Sequence, residues 1–357
     1  MARRDLIVIG GSAGAHAALQ KLLARLPVDL PAAVLIVTHL APGARSALAD
    51  VLAKQSVLPV AAAADGETAR PGRVYVAVPD HHLVLGAGDV LRLSAGPRQN
   101  RVRPAVDALF RAAARWGGAR VAGVVLSGSL DDGAAGLAAV VQQGGAALVQ
   151  DPEEARFPGM PRAALAAVPS AVVAPAGQLG KLLTELAGRP VGAGGPPDED
   201  LIWETDMAAE GRTAVGLPQR PVALGCPDCR GGMYEVRTGR AVHYVCHVGH
   251  SWSPESFVVA SDDGIEQALW TAVSAMQEKV TMLGELAVGA ERAGDRDRCE
   301  GYRTEADRVR RDAALVQHRM LGAGQPAPES QRPPGVSGVR PHPGPRCAGP
   351  GAGAPVP

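Results

Sequence analysis

The alternation of short apolar runs with Ala/Leu-rich stretches over residues 1–190 constrains the fold most strongly. The apolar runs are typical of buried strands and lie at residues 5–9, 33–37, 73–78, 119–126, 145–149 and 170–174. The stretches with helical spacing lie between them, at residues 14–26, 44–54, 104–116, 133–142 and 176–188. Apolar strands separated by helices indicate a mostly parallel sheet that is covered on both faces. We therefore predict a doubly wound α/β domain, the N-terminal domain, over residues 1–190, with added hairpins in residues 57–95.

Four further segments follow the N-terminal domain. Residues 191–220 are rich in Gly, Pro and acidic side chains, so they are interpreted as a linker. Residues 221–256, the Cys/His module, are predicted to form a small zinc-ribbon-like unit. Apolar side chains at helical spacing predict a helical hairpin over residues 262–321. Residues 322–357 are rich in Pro and Gly with few apolar side chains, which predicts disorder.

The composition excludes several classes of function. The 357 residues include 36 basic and 36 acidic side chains, so the formal net charge of zero provides no electrostatic footprint for nucleic acid. No apolar stretch approaches the roughly 20 residues that span a bilayer, and the first apolar run is too short for a signal peptide. All five cysteines lie beyond residue 225, unlike those of a disulfide scaffold. We expect a cytoplasmic protein without membrane insertion, and its oligomeric state is left open.

Three predicted strands end next to side chains that are used in nucleophilic catalysis. Ser12 follows the first strand within residues 10–14, whose sequence GGSAG fits G-x-S-x-G. His39 ends the second strand, and Asp131 and Asp132 follow the fourth. The carboxyl ends of parallel strands meet at the edge of the sheet where ligands bind. A serine, a histidine and an aspartate at that edge would serve as nucleophile, base and the group that orients the base.

Each of these positions has an alternative interpretation. The turn at Ser12 could bind a phosphate, although a serine stands where a dinucleotide fingerprint requires glycine. His39 could simply cap a strand, and His16 is a rival base, although on a helix it would point away from the sheet edge. Only one of Asp131 and Asp132 is expected to face the site, and either could instead cap the following helix. The order Ser, His, Asp also differs from that of α/β-hydrolases.

Five segments resemble the catalytic domain of the chemotaxis protein-glutamate methylesterases, and they occur in the same order. They are GGSAGA at residues 10–15, THLAP at 38–42, NRVRPAVDALF at 100–110, SGSLDDG at 127–133 and GMPR at 159–162. The resemblance assigns a catalytic triad to Ser12, His39 and Asp132. It implies hydrolysis of glutamate methyl esters on chemoreceptor-type proteins with release of methanol, and deamidation of glutamine at such sites. It implies a methylated receptor or another methylated protein as partner, and no cofactor for catalysis.

The chain also departs from that family's pattern. Ala13, Ser129 and Leu130 stand where the family has Thr, Met and Gly beside the reacting centre. These departures support an alternative hypothesis, a non-enzymatic signalling adaptor with a degenerate methylesterase domain. Regulated members usually carry an N-terminal receiver domain. Because the first predicted strand begins at residue 5, we do not expect control of that kind.

The Cys/His module has the ligand spacing of a zinc site. A Cys-x-x-Cys turn and a Cys-x-x-x-His segment, joined by a predicted hairpin, would complete a tetrahedral set. The predicted ligands are Cys226, Cys229, Cys246 and His250. Four protein ligands leave no open position, so the ion would be structural. His243 and His247 are spare candidates, and reduced cysteines without an ion are the alternative. We expect this module to be independent of the N-terminal domain.

Overall fold

The computed structural model describes residues 2–40, 43, 47–192, 194–210 and 220–322. The strands of these residues are β1 (Ala2–Arg3), β2 (Leu6–Gly11), β3 (Ala33–Thr38), β4 (Val60–Ala62), β5 (Val74–Val76), β6 (His82–Leu85), β7 (Leu91–Ser94), β8 (Val121–Val125), β9 (Ala146–Gln150), β10 (Val172–Ala174), β11 (Pro190–Val191), β12 (Pro221–Gly225), β13 (Gly232–Thr238), β14 (Ala241–Cys246) and β15 (Ser251–Trp252). The α-helices are α1 (Ala15–Leu23), α2 (Leu48–Ala53), α3 (Val106–Gly117), α4 (Ala134–Gln142), α5 (Gly159–Ala167), α6 (Ala176–Leu186), α7 (Glu199–Glu210), α8 (Pro254–Arg292) and α9 (Arg296–Gly322).

A parallel sheet in the order β10-β9-β8-β2-β3-β5-β4 forms the centre of the N-terminal domain, which confirms the predicted doubly wound fold. Alternate side chains of β2 enter two separate cores. Ile7 and Ile9 pack with residues of α1 and α6, whereas Leu6 and Val8 pack with residues of α3 and α4. β3 lies on one side of β2 in the sheet, and β8 lies on the other. The carboxyl ends of these three strands therefore form the crevice where open α/β sheets bind ligands.

Residues 57–95 add fewer hairpins than the sequence suggests. β4 and β5 are parallel and extend the central sheet at one edge. β6 and β7 form the antiparallel hairpin of this segment. The short pair of β1 and β11 is antiparallel and lies outside the central sheet.

The Cys/His module is not independent of the N-terminal domain, because the residues up to Ile265 form one compact unit. Its strands β12–β15 make an antiparallel sheet of their own. Within the segment interpreted as a linker, α7 packs against α3. There Arg115 Nη1 donates to Thr205 Oγ1 at 2.7 Å. The sequence pattern did not predict α7, because Gly, Pro and acidic residues surround it. In the structure, one side of α7 is buried, whereas a linker would be exposed.

The described residues 266–322 belong to a second unit, in which the rest of α8 and all of α9 make the predicted pair of helices. Its buried side chains include Ala287, Ala290 and Cys299. α8 begins at Pro254, earlier than the sequence pattern suggests. The predicted disorder of residues 322–357 falls almost wholly outside the described residues. Among the residues described, no helix combines the length and the apolar character that a bilayer crossing requires.

The imidazole of His82 is fully buried, so we expect its contribution to the stability of the fold to fall in acid. Its Nε2 lies 3.0 Å from the Pro97 carbonyl oxygen, and its Nδ1 accepts the Ala105 N–H at 3.2 Å. Burial lowers the pKa of this imidazole to about 4. The unfolded chain takes up the proton near pH 6.5, so the contribution of His82 to stability falls by about 3 kcal/mol as pH drops from about 6.5 to 4. Urea unfolding at pH 7 and at pH 4.5 measures this change.

His82→Gln should show a smaller loss between the two pH values than the wild-type chain. His16→Gln alters an exposed histidine of α1 and should keep the wild-type dependence. Equal losses in the wild-type chain and in His82→Gln would mean that His82 is not the group responsible.

Candidate active site and metal centre

Ser12 lies on a tight turn between β2 and α1. The Ser12 N–H donates to the Ser127 carbonyl at 2.9 Å, which ties this turn to the loop after β8. Gly14 has a φ of +78° at the start of α1, a conformation that glycine adopts without strain. A Cβ at Gly128 would lie 2.0 Å from Met160 Sδ and 3.0 Å from Ser12 Cβ. Glycine at position 128 therefore allows the two loops to approach closely, with Ser12 at the carboxyl end of β2.

His39 and Asp132 are directly paired, with 2.7 Å between Nε2 and Oδ2. Asp132 is only 2% exposed and also accepts two backbone N–H groups. Val106 N–H donates to Oδ2 at 2.7 Å, and Asp107 N–H donates to Oδ1 at 3.1 Å. Both donors belong to the first turn of α3, whose N-terminus favours a negative charge. Asp132 thus caps α3 and contacts His39 with the same carboxylate.

The surroundings of Asp132 keep it ionised. Burial is the largest influence and opposes ionisation, but the hydrogen bond with His39 and the two backbone N–H bonds together outweigh it. The pKa of Asp132 is therefore held below its usual value. An anionic Asp132 can only accept a hydrogen bond, so Nε2 of His39 carries the proton. Nδ1 is then the ring nitrogen that can act as a base.

Ser12 and His39 line the same cavity, whose volume is about 610 Å³. The other lining residues are Ala13, Gly14, His16, Ala17, Ala18, Lys21, Gln150, Glu154 and Arg156. Among the described residues, Ser12 Oγ and His39 form no hydrogen bond, and such bonds often tighten only when substrate binds. The rival base His16 is exposed on α1, and no described carboxylate pairs with it. The structure therefore brings Ser12 and His39 together at the cavity, with Asp132 behind His39.

Asp131 faces away from this arrangement. Its Oδ1 accepts the hydroxyl of Ser253, in the Cys/His module, at 2.6 Å. Burial is the main reason that its pKa is raised to about 7, and the neighbouring carboxylates add to the effect. The two adjacent aspartates therefore have different partners, His39 for Asp132 and Ser253 for Asp131.

Two departures from the methylesterase pattern have visible structural consequences. Leu130, at the position of a family glycine, has a φ of +60°. The left-handed conformation costs a residue with a side chain about 1–2 kcal/mol, so the turn before Asp132 is kept at some strain. Ala13 lines the cavity beside Ser12 and presents a methyl group there.

The four predicted metal ligands come together in the Cys/His module. Their ligand atoms all lie within 4.8 Å of one another. The Sγ atoms of Cys229 and Cys246 are 3.7 Å apart, and Nδ1 of His250 lies 3.5 Å from Cys246 Sγ and 3.7 Å from Cys226 Sγ. Tetrahedral zinc requires about 3.8 Å between sulfurs and about 3.6 Å between sulfur and nitrogen. These donors therefore fit a zinc ion.

The spare histidines lie outside this cluster. His243 is buried, and its Nε2 lies 2.5 Å from Oε1 of Glu204 in α7. The ring of His247 lies against Gly231, where a Cβ would approach it to 2.0 Å. Neither belongs to the group of ligand atoms that converge.

Asn100 is a site residue to which sequence reasoning assigned no role. Its Nδ2 donates to Oδ1 of Asp132 at 3.3 Å and to Oδ2 of Asp107 at 3.2 Å. The available signal was the NRVRP sequence, which carried part of the resemblance but indicated no contact. The two N–H donors that α3 presents to Asp132 were not predicted, because the presence of a backbone N–H group does not depend on the side chain.

The fold and the site together define a doubly wound α/β protein with a serine, a histidine and an aspartate at the carboxyl edge of its parallel sheet. A family model described as CheB methylesterase matches residues 7–183. The crystal structure of the Thermotoga maritima CheB methylesterase catalytic domain is 35% identical, with a TM-score of 0.50. The match covers 52% of this chain and 100% of that one. The chain belongs to the CheB methylesterase family.

Curated relatives agree with this assignment over the N-terminal domain. A protein of Anaeromyxobacter dehalogenans named protein-glutamate methylesterase/protein-glutamine glutaminase 2 is 42% identical over 185 residues, which are 52% of this chain and 54% of that protein. A protein of the same name from Pseudomonas syringae pv. syringae is 41% identical over 171 residues, 48% of this chain and 51% of that protein. The chain thus spans about half the length of the curated relatives it matches.

Proposed function

We propose that this chain hydrolyses glutamate methyl esters on a chemoreceptor-type protein, releasing methanol and leaving the carboxylate. The observation that carries the proposal is the 2.7 Å contact of His39 with Asp132 beside the cavity that Ser12 lines. The names of the relatives support the substrate class and add glutamine deamidation. The same acyl transfer serves both reactions, with methanol or ammonia as the leaving group.

In the proposed mechanism Ser12 Oγ attacks the ester carbonyl and forms an acyl-enzyme. His39 Nδ1 takes the serine proton and returns it to the departing methoxide, and Asp132 stabilises the imidazolium in between. Water, activated by His39, then hydrolyses the acyl group and releases the carboxylate. The N–H groups of Ala13 and Gly14 have no hydrogen-bond partner among the described residues. They are the proposed donors to the oxyanion, at the start of α1.

The test is an assay of the purified full chain with a receptor signalling fragment that a receptor methyltransferase has methylated. Methanol and ammonia are measured over time, together with the loss of methyl groups from the fragment. We expect methanol release with equal demethylation of the fragment. The adaptor hypothesis predicts that the chain binds the fragment without releasing methanol, and that result would overturn the proposal.

We further propose that the Cys/His module binds structural zinc, which would link the 226–229 turn to the 246–250 turn. A small sheet with few buried apolar side chains gains folding free energy from such an ion. Cysteines 226, 229, 246 and 299 form no disulfide. Cysteines without disulfides are typical of proteins in reducing compartments, which supports a cytoplasmic location.

Removing one zinc ligand should release the ion. We expect about one zinc per wild-type chain, purified without chelator, and much less in Cys229→Ser, because three ligands hold zinc far more weakly than four. Cys299→Ser is the matched control, since this buried cysteine belongs to the second unit and is not one of the four converging ligands. Elemental analysis measures the ion. A wild-type chain without zinc, or equal zinc in both variants, would contradict the proposal.

A further inference from the structure

The side-chain amide of Asn100 joins the Cys/His module to the proposed triad. On one side, Nδ2 donates to the carboxylates of Asp132 and Asp107. On the other side, Oδ1 accepts the Ser253 N–H at 2.9 Å and the Ser256 hydroxyl at 3.0 Å. Asn100 is 8% exposed, so these partners replace nearly all of its contact with water. One amide therefore connects two segments that are 153 residues apart in the chain.

The module fixes the oxygen end of this amide, and the two carboxylates fix its NH₂ end. The Ser253 N–H can only donate, so the amide oxygen must face it. The NH₂ group then faces the two carboxylates, which can use a donor on that side. Asn100 is also held by its backbone, whose N–H donates to the Ser251 carbonyl at 2.8 Å with a φ of +50°. Without residues 251–256 the amide oxygen would lose its donors, and only the two carboxylates would hold the amide in this orientation.

A second set of contacts fixes the module on α3. His243 of β14 pairs with Glu204 of α7, and Nη1 of Arg111 in α3 lies 3.6 Å from the same carboxylate. Arg111 also donates to the side chain of Gln99, the neighbour of Asn100. These side chains are all buried, so removing one partner would leave an uncompensated buried group. The module is thus linked to α3 through Glu204 and Arg111, in addition to its contacts with Asn100.

We propose that Asn100 is a positioning residue and that the Cys/His module, through it, holds Asp132 in the orientation that His39 requires. This inference rests on the proposed esterase function. The module would thus contribute to catalysis without contacting the substrate. Once folded around the metal, it would keep residues 251–256 in place, and those residues would orient the Asn100 amide. Loss of the module's structure should therefore lower the chemical rate and leave substrate binding at the cavity unchanged.

Asn100→Ala removes the shared donor. A hydrogen bond to a buried charged group contributes about 1.5–3 kcal/mol, so kcat should fall about 10- to 100-fold. KM should stay near the wild-type value, because Asn100 does not line the cavity. Ser256→Ala removes one of the two donors to the amide oxygen, and its kcat should fall less than that of Asn100→Ala.

Asn100→Asp provides a signature that a purely structural role would not give. The new carboxyl keeps the acceptor for Ser253 N–H but faces Asp107 and Asp132 with an oxygen. When protonated, its hydroxyl donates as the amide did. When ionised, it repels both carboxylates. The kcat of this variant relative to wild type should therefore rise as pH falls. The charged and titratable groups around it are Asp107, Arg111, Asp131, Asp132 and His39. The wild-type chain has the same groups, so the ratio of the two kcat values reports the ionisation of residue 100.

A double-mutant cycle tests whether the module acts through Asn100. If it does, Cys229→Ser should lower kcat, and the double variant with Asn100→Ala should be no slower than the slower single variant. Hydrogen exchange of the Val106 and Asp107 amides, which donate to Asp132, should rise in Cys229→Ser and not in Cys299→Ser. If Cys229→Ser does not fold, the kcat and KM of Ser256→Ala and the pH profile of Asn100→Asp decide the question.

Multiplicative kcat losses in the cycle, or an unchanged kcat in Asn100→Ala, would overturn the inference and leave the esterase function standing. A wild-type chain that releases no methanol would overturn the function instead. The exchange measurement would still show whether the module holds Asp132.

Discussion

Ser12→Ala is expected to reduce methanol release by about 10⁶-fold, the loss seen when a triad hydrolase loses its nucleophile. The hydroxyl is the atom that forms the acyl bond, and no neighbouring serine replaces it. Ser127 is buried, its hydroxyl donates to the Ala13 carbonyl at 2.8 Å, and it accepts the Phe157 N–H at 3.0 Å. The fold should be unaffected, because the Ser12 contact with the next loop is made by its backbone N–H.

Initial rates of methanol release and thermal unfolding are the measurements for this prediction. Ser129→Ala, in the exposed part of the loop after β8, is the matched control and should keep a rate within a few fold of wild type. A Ser12→Ala chain with the wild-type rate would remove Ser12 from the mechanism. A large loss in Ser129→Ala with Ser12→Ala still active would move the nucleophile to the other loop.

Asp132→Asn is expected to lower turnover by about 10⁴-fold, because the group that orients and stabilises the imidazolium loses its charge. The structure adds a second reason. Both carboxylate oxygens accept a backbone N–H from α3, so the NH₂ of an asparagine faces a donor in either orientation. The substitution should therefore also lower the free energy of unfolding, by about 1–3 kcal/mol for an unpaired buried donor.

Asp131→Asn is the matched control for that change. Asp131 accepts the Ser253 hydroxyl, and an asparagine oxygen can accept the same hydrogen bond. We expect a turnover within about tenfold of wild type, and rates together with urea unfolding measure both variants. Equal large losses, or a greater loss in Asp131→Asn, would reject Asp132 as the partner of His39.

Local sequence patterns were enough to predict the parallel sheet and the candidate residues at its edge, whereas the choice of Asp132 over Asp131 came from the family resemblance. Ser12, His39 and Asp132 each follow a short apolar run, and parallel strands bring such positions to one edge whatever the rest of the chain does. The convergence of the candidate metal ligands was predictable for the same reason, because a Cys-x-x-Cys turn brings two thiolates together within four residues. Both predictions depend only on the spacing of residues within one short segment of the chain.

The contacts between segments could not be predicted in this way. Asn100 meets Ser253 across 153 residues, and nothing in the composition of either neighbourhood indicates the other. The segment that contains α7 has the composition of a linker, yet burial of Leu201 in a core of the N-terminal domain keeps this helix in place. The expected independence of the Cys/His module was wrong because tertiary packing, rather than local pattern, decides which segments share a core.

The most direct test of the central claim is to trap the acyl-enzyme. The wild-type chain is mixed with methylated receptor fragment, quenched in acid during turnover, digested and mapped by mass spectrometry. Since acyl transfer through a serine leaves a covalent intermediate, the account predicts a receptor glutamyl group esterified to Ser12 and absent in Ser12→Ala. A receptor glutamyl group on any other residue, or methanol release at the wild-type rate by Ser12→Ala, would contradict it.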